Sequence, residues 1–150
     1  MQAASDLRVA TAALVGHRVL MVETLGSRAL ILPKGKIDLG ETPRDAAARE
    51  LAEEGALLRT SYFSPEPIAR YVHARSRSGR TETHDVYLAL ARPRDFDPTR
   101  DPEGRNPRCL TLADALDAIV VDVAAGRRSA RSGAELAAAL HRAFVCARGL

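Results

Sequence analysis

The chain has 150 residues, of which 46% are hydrophobic and 27% charged, and it carries a formal net charge of +3. A chain of this size and composition is one globular domain, able to bury about two-thirds of its unfolded surface without a disulfide or metal staple. No apolar run approaches the roughly 18 residues of a membrane span, and Cys109 and Cys146 fit neither a metal-ligand spacing nor a disulfide framework.

In chain order, residues 7–15 and 18–23 are expected to be strands around a turn at Gly16-His17, with a third short strand at 28–32. A loop, "PKGKIDLGE", leads into a helix over residues 43–54. The segments "PIARYVHARS" and "TETHDVYLALA" read as a hairpin turning at Ser78-Gly79-Arg80. Residues 92–108 hold four prolines and read as a loop. Two helices close the chain: one begins with the Thr-x-x-Asp pattern at Thr111 and ends at Gly126, the other begins with Ser-x-x-Glu at Ser132. Leu136, Ala139, Leu140, Ala143, Phe144 and Ala147 give that last helix one apolar stripe. Interspersed strands and helices predict a layered α/β or α+β domain spanning 1–150. The N-terminus lacks the basic start and apolar core of a signal peptide, so the expected location is the cytoplasm.

The helix at 43–54 carries the chemistry. Thr42 is a good N-cap, Pro43 suits the first helical position, Asp45 completes the cap pattern and Gly55 is a stop signal. Glu50, Glu53 and Glu54 stand at i, i+3 and i+4 and share a face, with Ala46 one turn below leaving Glu50 uncrowded. Ala47, Ala48 and Leu51 should face a core, and Arg49 is placed to pair with Glu53. An acidic run is ordinarily a solvated face. Here, however, like charges one turn apart and acids at the helix C-terminus each cost a few tenths of a kcal/mol, roughly. A divalent cation reverses those signs, and Mg²⁺ favours a few protein oxygens plus substrate phosphates. Gly35 permits close backbone approach to a ligand. Lys34 and Lys36, the only lysines beside 20 arginines, flank it and suit an anionic substrate.

Residues 35–57 resemble the signature of the Nudix hydrolases, G-x5-E-x7-R-E-U-x-E-E-x-G-U with U aliphatic. Gly35, Glu41, Arg49, Glu50, Leu51, Glu53, Glu54 and Leu57 match; Ala56 stands where the signature has glycine, with Gly55 just before it as a possible substitute. The resemblance implies an α/β/α sandwich with a mixed β-sheet and hydrolysis of a nucleoside diphosphate linked to another moiety, dependent on Mg²⁺ or Mn²⁺. It implies metal ligation by Glu50, Glu53, Glu54 and the Gly35 carbonyl, orientation of the glutamates by Arg49, and a supporting role for Glu41. Glu50, Glu53 or a loop acid would act as general base, the loop options being Glu82, Asp85, Asp95, Asp97, Asp101 and Glu103.

For the substrate there are two cues. "PKGK" resembles the branch acting on dinucleoside polyphosphates and diphosphoinositol polyphosphates. On alternating positions Tyr71, His73, Arg75 and Arg77 would share a strand face and form a basic wall, with His84 and Tyr87 on the next strand. His73 and His84 read as surface polar residues or phosphate contacts rather than metal ligands. Lys34, Lys36, His73, Arg75 and Arg77 are thus the expected substrate-binding residues. With no Trp, three Tyr and three Phe, recognition by phosphate is favoured over recognition by base. A dinucleoside polyphosphate such as diadenosine tetraphosphate comes first, ahead of (oxidised) nucleoside triphosphates, ADP-ribose and inositol pyrophosphates. A catalytically silent sensor or scaffold is the reading from another class. Nothing demands a nucleic-acid partner, since basic and aromatic residues do not interleave.

Overall fold

From Arg8 to Val15 every residue of the first strand is buried, so helices must cover both faces of the sheet it occupies. The computed structural model describes residues 6–74 and 81–150. Its strands are β1 (Asp6–Val15), β2 (Arg18–Glu23), β3 (Leu30–Ile31), β4 (Lys34–Lys36), β5 (Tyr62–Phe63), β6 (Ala69–Ala74), β7 (Thr81–Ala91) and β8 (Arg108–Leu110). Its helices are α1 (Pro43–Glu54), α2 (Leu112–Ala124) and α3 (Ala130–Ala147). β1 and β7 pair in parallel from Asp6↔Glu82 to Val15↔Ala91, while every other pairing among the described residues is antiparallel. The sheet is therefore mixed, in the order β3-β2-β1-β7-β5, with β4 on β1, β6 on β7 and β8 on β2.

Alternation along β1 and β7 sorts the core into two layers. Val9, Ala13, Val15, Tyr87, Ala89 and Ala91 meet Ala46, Ala47 and Leu51 of α1. Ala10, Ala12, Leu14, Val86 and Leu88 meet Ala115 and Ile119 of α2 and Leu136, Ala139, Leu140 and Ala143 of α3. Phe144 and Ala147 extend the expected stripe as half-buried members. Burying each large aliphatic side chain contributes about 1.5–3 kcal/mol, which dominates the weak intrinsic preferences of the short strands. The result is an α/β/α sandwich. Among the described residues no helix is long and apolar enough to cross a membrane.

Several local expectations are corrected. The third strand shrinks to β3 because Arg28 takes a left-handed φ of 61° and Ala29 closes a turn, its carbonyl accepting from Thr24 N at 2.9 Å. "PKGK" is not the start of a loop: Thr11 N donates to the Pro33 carbonyl at 3.0 Å, and Lys34–Lys36 form β4 on β1. The proline-rich segment contains a short 3-10 turn at Pro93–Asp95 and ends in β8. α3 starts at Ser129, whose Oγ accepts from Ser132 N at 3.1 Å; Ser132 is free to bond elsewhere because it is not the cap. The hairpin strands pair as expected, Tyr71↔His84 and His73↔Glu82, and the turn at Ser78-Gly79-Arg80 lies outside the described residues.

Candidate active site

α1 begins as its sequence dictates, with Thr42 Oγ1 accepting from Asp45 N at 3.1 Å and Pro43 in the first turn. Its outer face is organised by Arg49. Nε and Nη2 of Arg49 donate to the two Glu41 carboxylate oxygens at 2.7 and 3.0 Å, a bidentate fork. Nη1 donates to Glu50 at 2.9 Å and to Glu53 at 3.4 Å, and Nη2 also donates to the Lys36 carbonyl at 3.0 Å. These bonds raise the Arg49 pKa further, and hold the Glu41 carboxyl below its ordinary value. One guanidinium thus ties β4, the following loop and α1 together.

Gly35 and Glu50 are in intimate contact. A methyl group on Gly35 would sit 2.1 Å from the Glu50 carboxyl, so any larger residue at this point of β4 would force that carboxylate to move. Glu54 is the buried acid of the set, 5% exposed, accepting from Lys34 N at 3.4 Å. Burial pushes its carboxyl up to about 8, partly opposed by Arg105 Nε at 4.0 Å and reinforced by a hydrogen bond with Glu50. Glu50, Glu53 and Glu54 line one cleft of about 370 Å³ together with Arg8, Lys34, Gly35, Glu103 and Arg105. Among the described residues no three side chains already converge as a metal cage. Glu50 and Glu54 meet, while Glu53, half-exposed, leans toward Arg49.

The model of the NUDIX domain matches residues 6–128. The chain belongs to the Nudix hydrolase family. It is accordingly an enzyme of the class that acts on phosphorus-containing acid anhydrides, and Nudix hydrolases generally use divalent metal ions. Among solved structures it is similar to the Ap4A hydrolase of C. elegans (18% identity over 96% of this chain and 99% of that one, TM-score 0.64). It is also similar to a NUDIX hydrolase from Nitrosomonas europaea (20%, 83% and 92%, TM-score 0.59). A third is the NUDIX domain of Shewanella oneidensis NrtR complexed with ADP ribose (20%, 84% and 90%, TM-score 0.60). At these identities the likeness is one of fold. No curated protein matches.

The one departure from the Nudix signature has a definite geometry. Gly55 does not take over the turn; it caps α1 with φ −89°, and Ala56 itself adopts the left-handed φ of 56°. Gly55 is needed for another reason, since a methyl there would lie 2.7 Å from the Leu51 carbonyl and 2.8 Å from Leu20 Cδ2. Alanine therefore stands in a left-handed position, which is strained for a residue with a Cβ.

The helix faces are also corrected in detail. Ala46 is not an open space below Glu50: it is buried against Val9 and Tyr87, and Ala48 is exposed rather than core-facing. Of the loop acids, Glu103 alone lines the cleft beside the Nudix glutamates. Asp85 is paired with Arg70 at 2.7 Å, Asp95 with Arg59 at 3.4 Å, Asp97 bonds Thr99, and Asp101 accepts from Arg105 N and Asn106 N. Glu82 is buried between Arg8 Nη2 at 3.3 Å and Lys34 Nζ at 3.7 Å. Arg8, Thr24 and Arg105 were missed from the sequence, because an arginine in a strand and another in a proline-rich loop carry no local signal.

The expected substrate residues separate. Lys34 lines the cleft and also a neighbouring cavity of about 310 Å³, where Tyr71 and His73 are found as well. Lys36 is exposed and lines neither; its carbonyl serves Arg49. Arg75 and Arg77 lie outside the described residues. His84 is not a surface residue: it is fully buried and stacked on Tyr71 with ring centroids 4.6 Å apart. Tyr87 points to the opposite layer, against Phe63 at 5.9 Å.

Proposed function

We propose that this Nudix hydrolase is a Mg²⁺-dependent pyrophosphohydrolase cleaving a diphosphate linkage in a nucleoside diphosphate derivative, with dinucleoside polyphosphates such as diadenosine tetraphosphate as its leading substrates. The observation that carries the reading is the cleft in which Glu50 and Glu54 meet beside Gly35, with Lys34 and Arg105 on its rim. The donor set is all oxygen, which fits Mg²⁺ or Mn²⁺ and not a thiolate-seeking metal. The residues that would hold the ion are Glu50, Glu53, Glu54 and the Gly35 carbonyl. A bound cation supplies charge neutralisation of the diphosphate and a water acidic enough to be deprotonated near neutral pH.

This chain's residues do the rest. Arg49, locked by Glu41, fixes the rotamers of Glu50 and Glu53 so that both carboxylates stay at the cleft. Glu53 or Glu103 takes the proton of the attacking water; both are partly exposed and able to return it to solvent. Lys34 and Arg105 hold substrate phosphates and leave the scissile anhydride over the glutamates. Recognition of phosphate rather than base is supported by the aromatic rings, since Phe63 and Tyr87 pack on each other and Tyr71 packs on His84. The test is purified protein with Mg²⁺ and a panel of diadenosine tetraphosphate, nucleoside triphosphates, ADP-ribose and an inositol pyrophosphate, with products identified by mass. The fastest turnover is expected on diadenosine tetraphosphate.

A further inference from the structure

The cavity of about 310 Å³ beside the cleft lies between β3, the β6–β7 pair and the turn from α2 to α3. It shares Lys34, Thr24 and Ile31 with the cleft, so the two are immediate neighbours. Its cationic lining is Lys34, Arg127 and Arg128, with His73 and His84 beside them and no carboxylate among the described lining residues. Arg128 is 8% exposed. It donates to neutral acceptors, the Leu30 carbonyl at 2.6 Å and Ser132 Oγ at 2.7 Å, and its Nε has no hydrogen-bond partner among the described residues. No carboxylate pairs with it within 4.0 Å among those residues; the nearby Asp122 is engaged by Leu30 N and Arg127 Nε, each at 2.8 Å. A buried guanidinium without a counter-ion is costly, and burial indeed depresses its pKa.

His84 presents the same deficit. It is fully buried, it borders the cavity, and neither ring nitrogen has a hydrogen-bond partner among the described residues; Nε2 stands 3.7 Å from Glu82, beyond hydrogen-bond reach. A base is a poor occupant, because the faces of Tyr71 and His84 are closed on each other. An anion in the cavity supplies the counter-charge that Arg128 lacks; Arg128 Nε and the His84 ring nitrogens are themselves closed off from solvent, so a direct hydrogen bond to either requires that side chain to shift. The start of the 18-residue α3, capped by Ser129 at the cavity wall, has the favourable dipole sign.

We propose that this cavity is the subsite for a phosphate of the substrate beyond the diphosphate held at the glutamates, with Arg128 and His84 as the residues that select a polyphosphate chain over a diphosphate with a neutral end. The substrate assignment rests on the hydrolase reading above; the anion site itself does not. The probe is inorganic tripolyphosphate, titrated calorimetrically in EDTA. Wild type binds it; Arg128→Met and His84→Phe each weaken binding about tenfold or more, and Arg94→Met, an exposed arginine that lines neither the cleft nor the cavity, leaves it unchanged. Should either variant fail to fold, NMR of the four histidines in the wild type decides: the His73 and His84 ring signals shift on titration, while those of His17 and His141 do not. In turnover, the folded variants raise KM about tenfold for diadenosine tetraphosphate and less than twofold for ADP-ribose. Absence of tripolyphosphate binding by wild type, undiminished binding by folded variants, or still His84 signals at saturation overturns the subsite. Tripolyphosphate binding as described, with no hydrolysis of any diphosphate compound, overturns the hydrolase reading and leaves the subsite standing.

Discussion

The Arg49 guanidinium reaches carboxylates of Asp38, Glu41, Glu50 and Glu53 and the Lys36 carbonyl at once. Lysine cannot reproduce that planar fork. Arg49→Lys is expected to lower kcat by about tenfold or more while the fold survives, checked by circular dichroism beside the rate. Glu54 has a different signature. Its pKa, about 8 when folded against an ordinary 4.5, means the folded state keeps a proton that the unfolded state releases. Below both values the two states are equally protonated and no stability is lost. Between about pH 4.5 and 8 the folded state binds more protons, so metal-free stability falls as pH rises. Melting curves in EDTA from pH 5 to 8 should show this decline, and Glu54→Gln should flatten it; an equal slope in the variant contradicts the assignment. Residues 55 and 56 give a paired test. Gly55→Ala forces a methyl onto Leu51 and Leu20 and should cost about 1–3 kcal/mol. Ala56→Gly relieves the left-handed strain while losing one buried methyl, and should change stability by less than about 1 kcal/mol.

At the scale of elements, legibility follows locality. α1 was readable to the residue because its cap, its proline, its acids and its stop are all local signals. β1 and β7 were readable as strands from their apolar runs, but not as parallel partners, since nothing local pairs residue 6 with residue 82. The short β4, β5 and β8 exist only because a neighbouring strand offers hydrogen bonds, so their two or three residues carry no periodicity of their own. The same distinction divides the site. Gly35, Glu41, Arg49 and the three glutamates lie on one contiguous strand–loop–helix stretch and were legible from its resemblance to the Nudix signature. Arg105, Arg8 and Arg128 arrive from distant elements, and His84 looked like surface because it stands among the polar residues Glu82, Thr83 and Asp85, although Glu82 and His84 are both buried. Gly35→Ala tests the contact between two such elements. It should displace Glu50 and reduce turnover about a hundredfold, measured with saturating Mg²⁺, with a smaller effect on melting temperature.

For the whole molecule, a bound cation links the acid cleft to global stability. A ligand at about 100 times its Kd adds about 2.7 kcal/mol, several degrees in Tm for a chain of this length. Mg²⁺ or Mn²⁺ should therefore raise Tm over EDTA, and Glu53→Gln and Glu54→Gln should lose that rise. Activity is the more direct measurement: turnover of diadenosine tetraphosphate by wild type and Glu53→Gln, in Mg²⁺ and in EDTA, with products weighed after reaction in ¹⁸O-water. The expected result is two nucleotide products whose masses sum to substrate plus one water, one of them labelled, with turnover abolished by EDTA and at least about a hundredfold lower in Glu53→Gln. Full turnover in Glu53→Gln, or no hydrolysis of any diphosphate compound by wild type in Mg²⁺ or Mn²⁺, would contradict a metal-dependent pyrophosphohydrolase built on these glutamates.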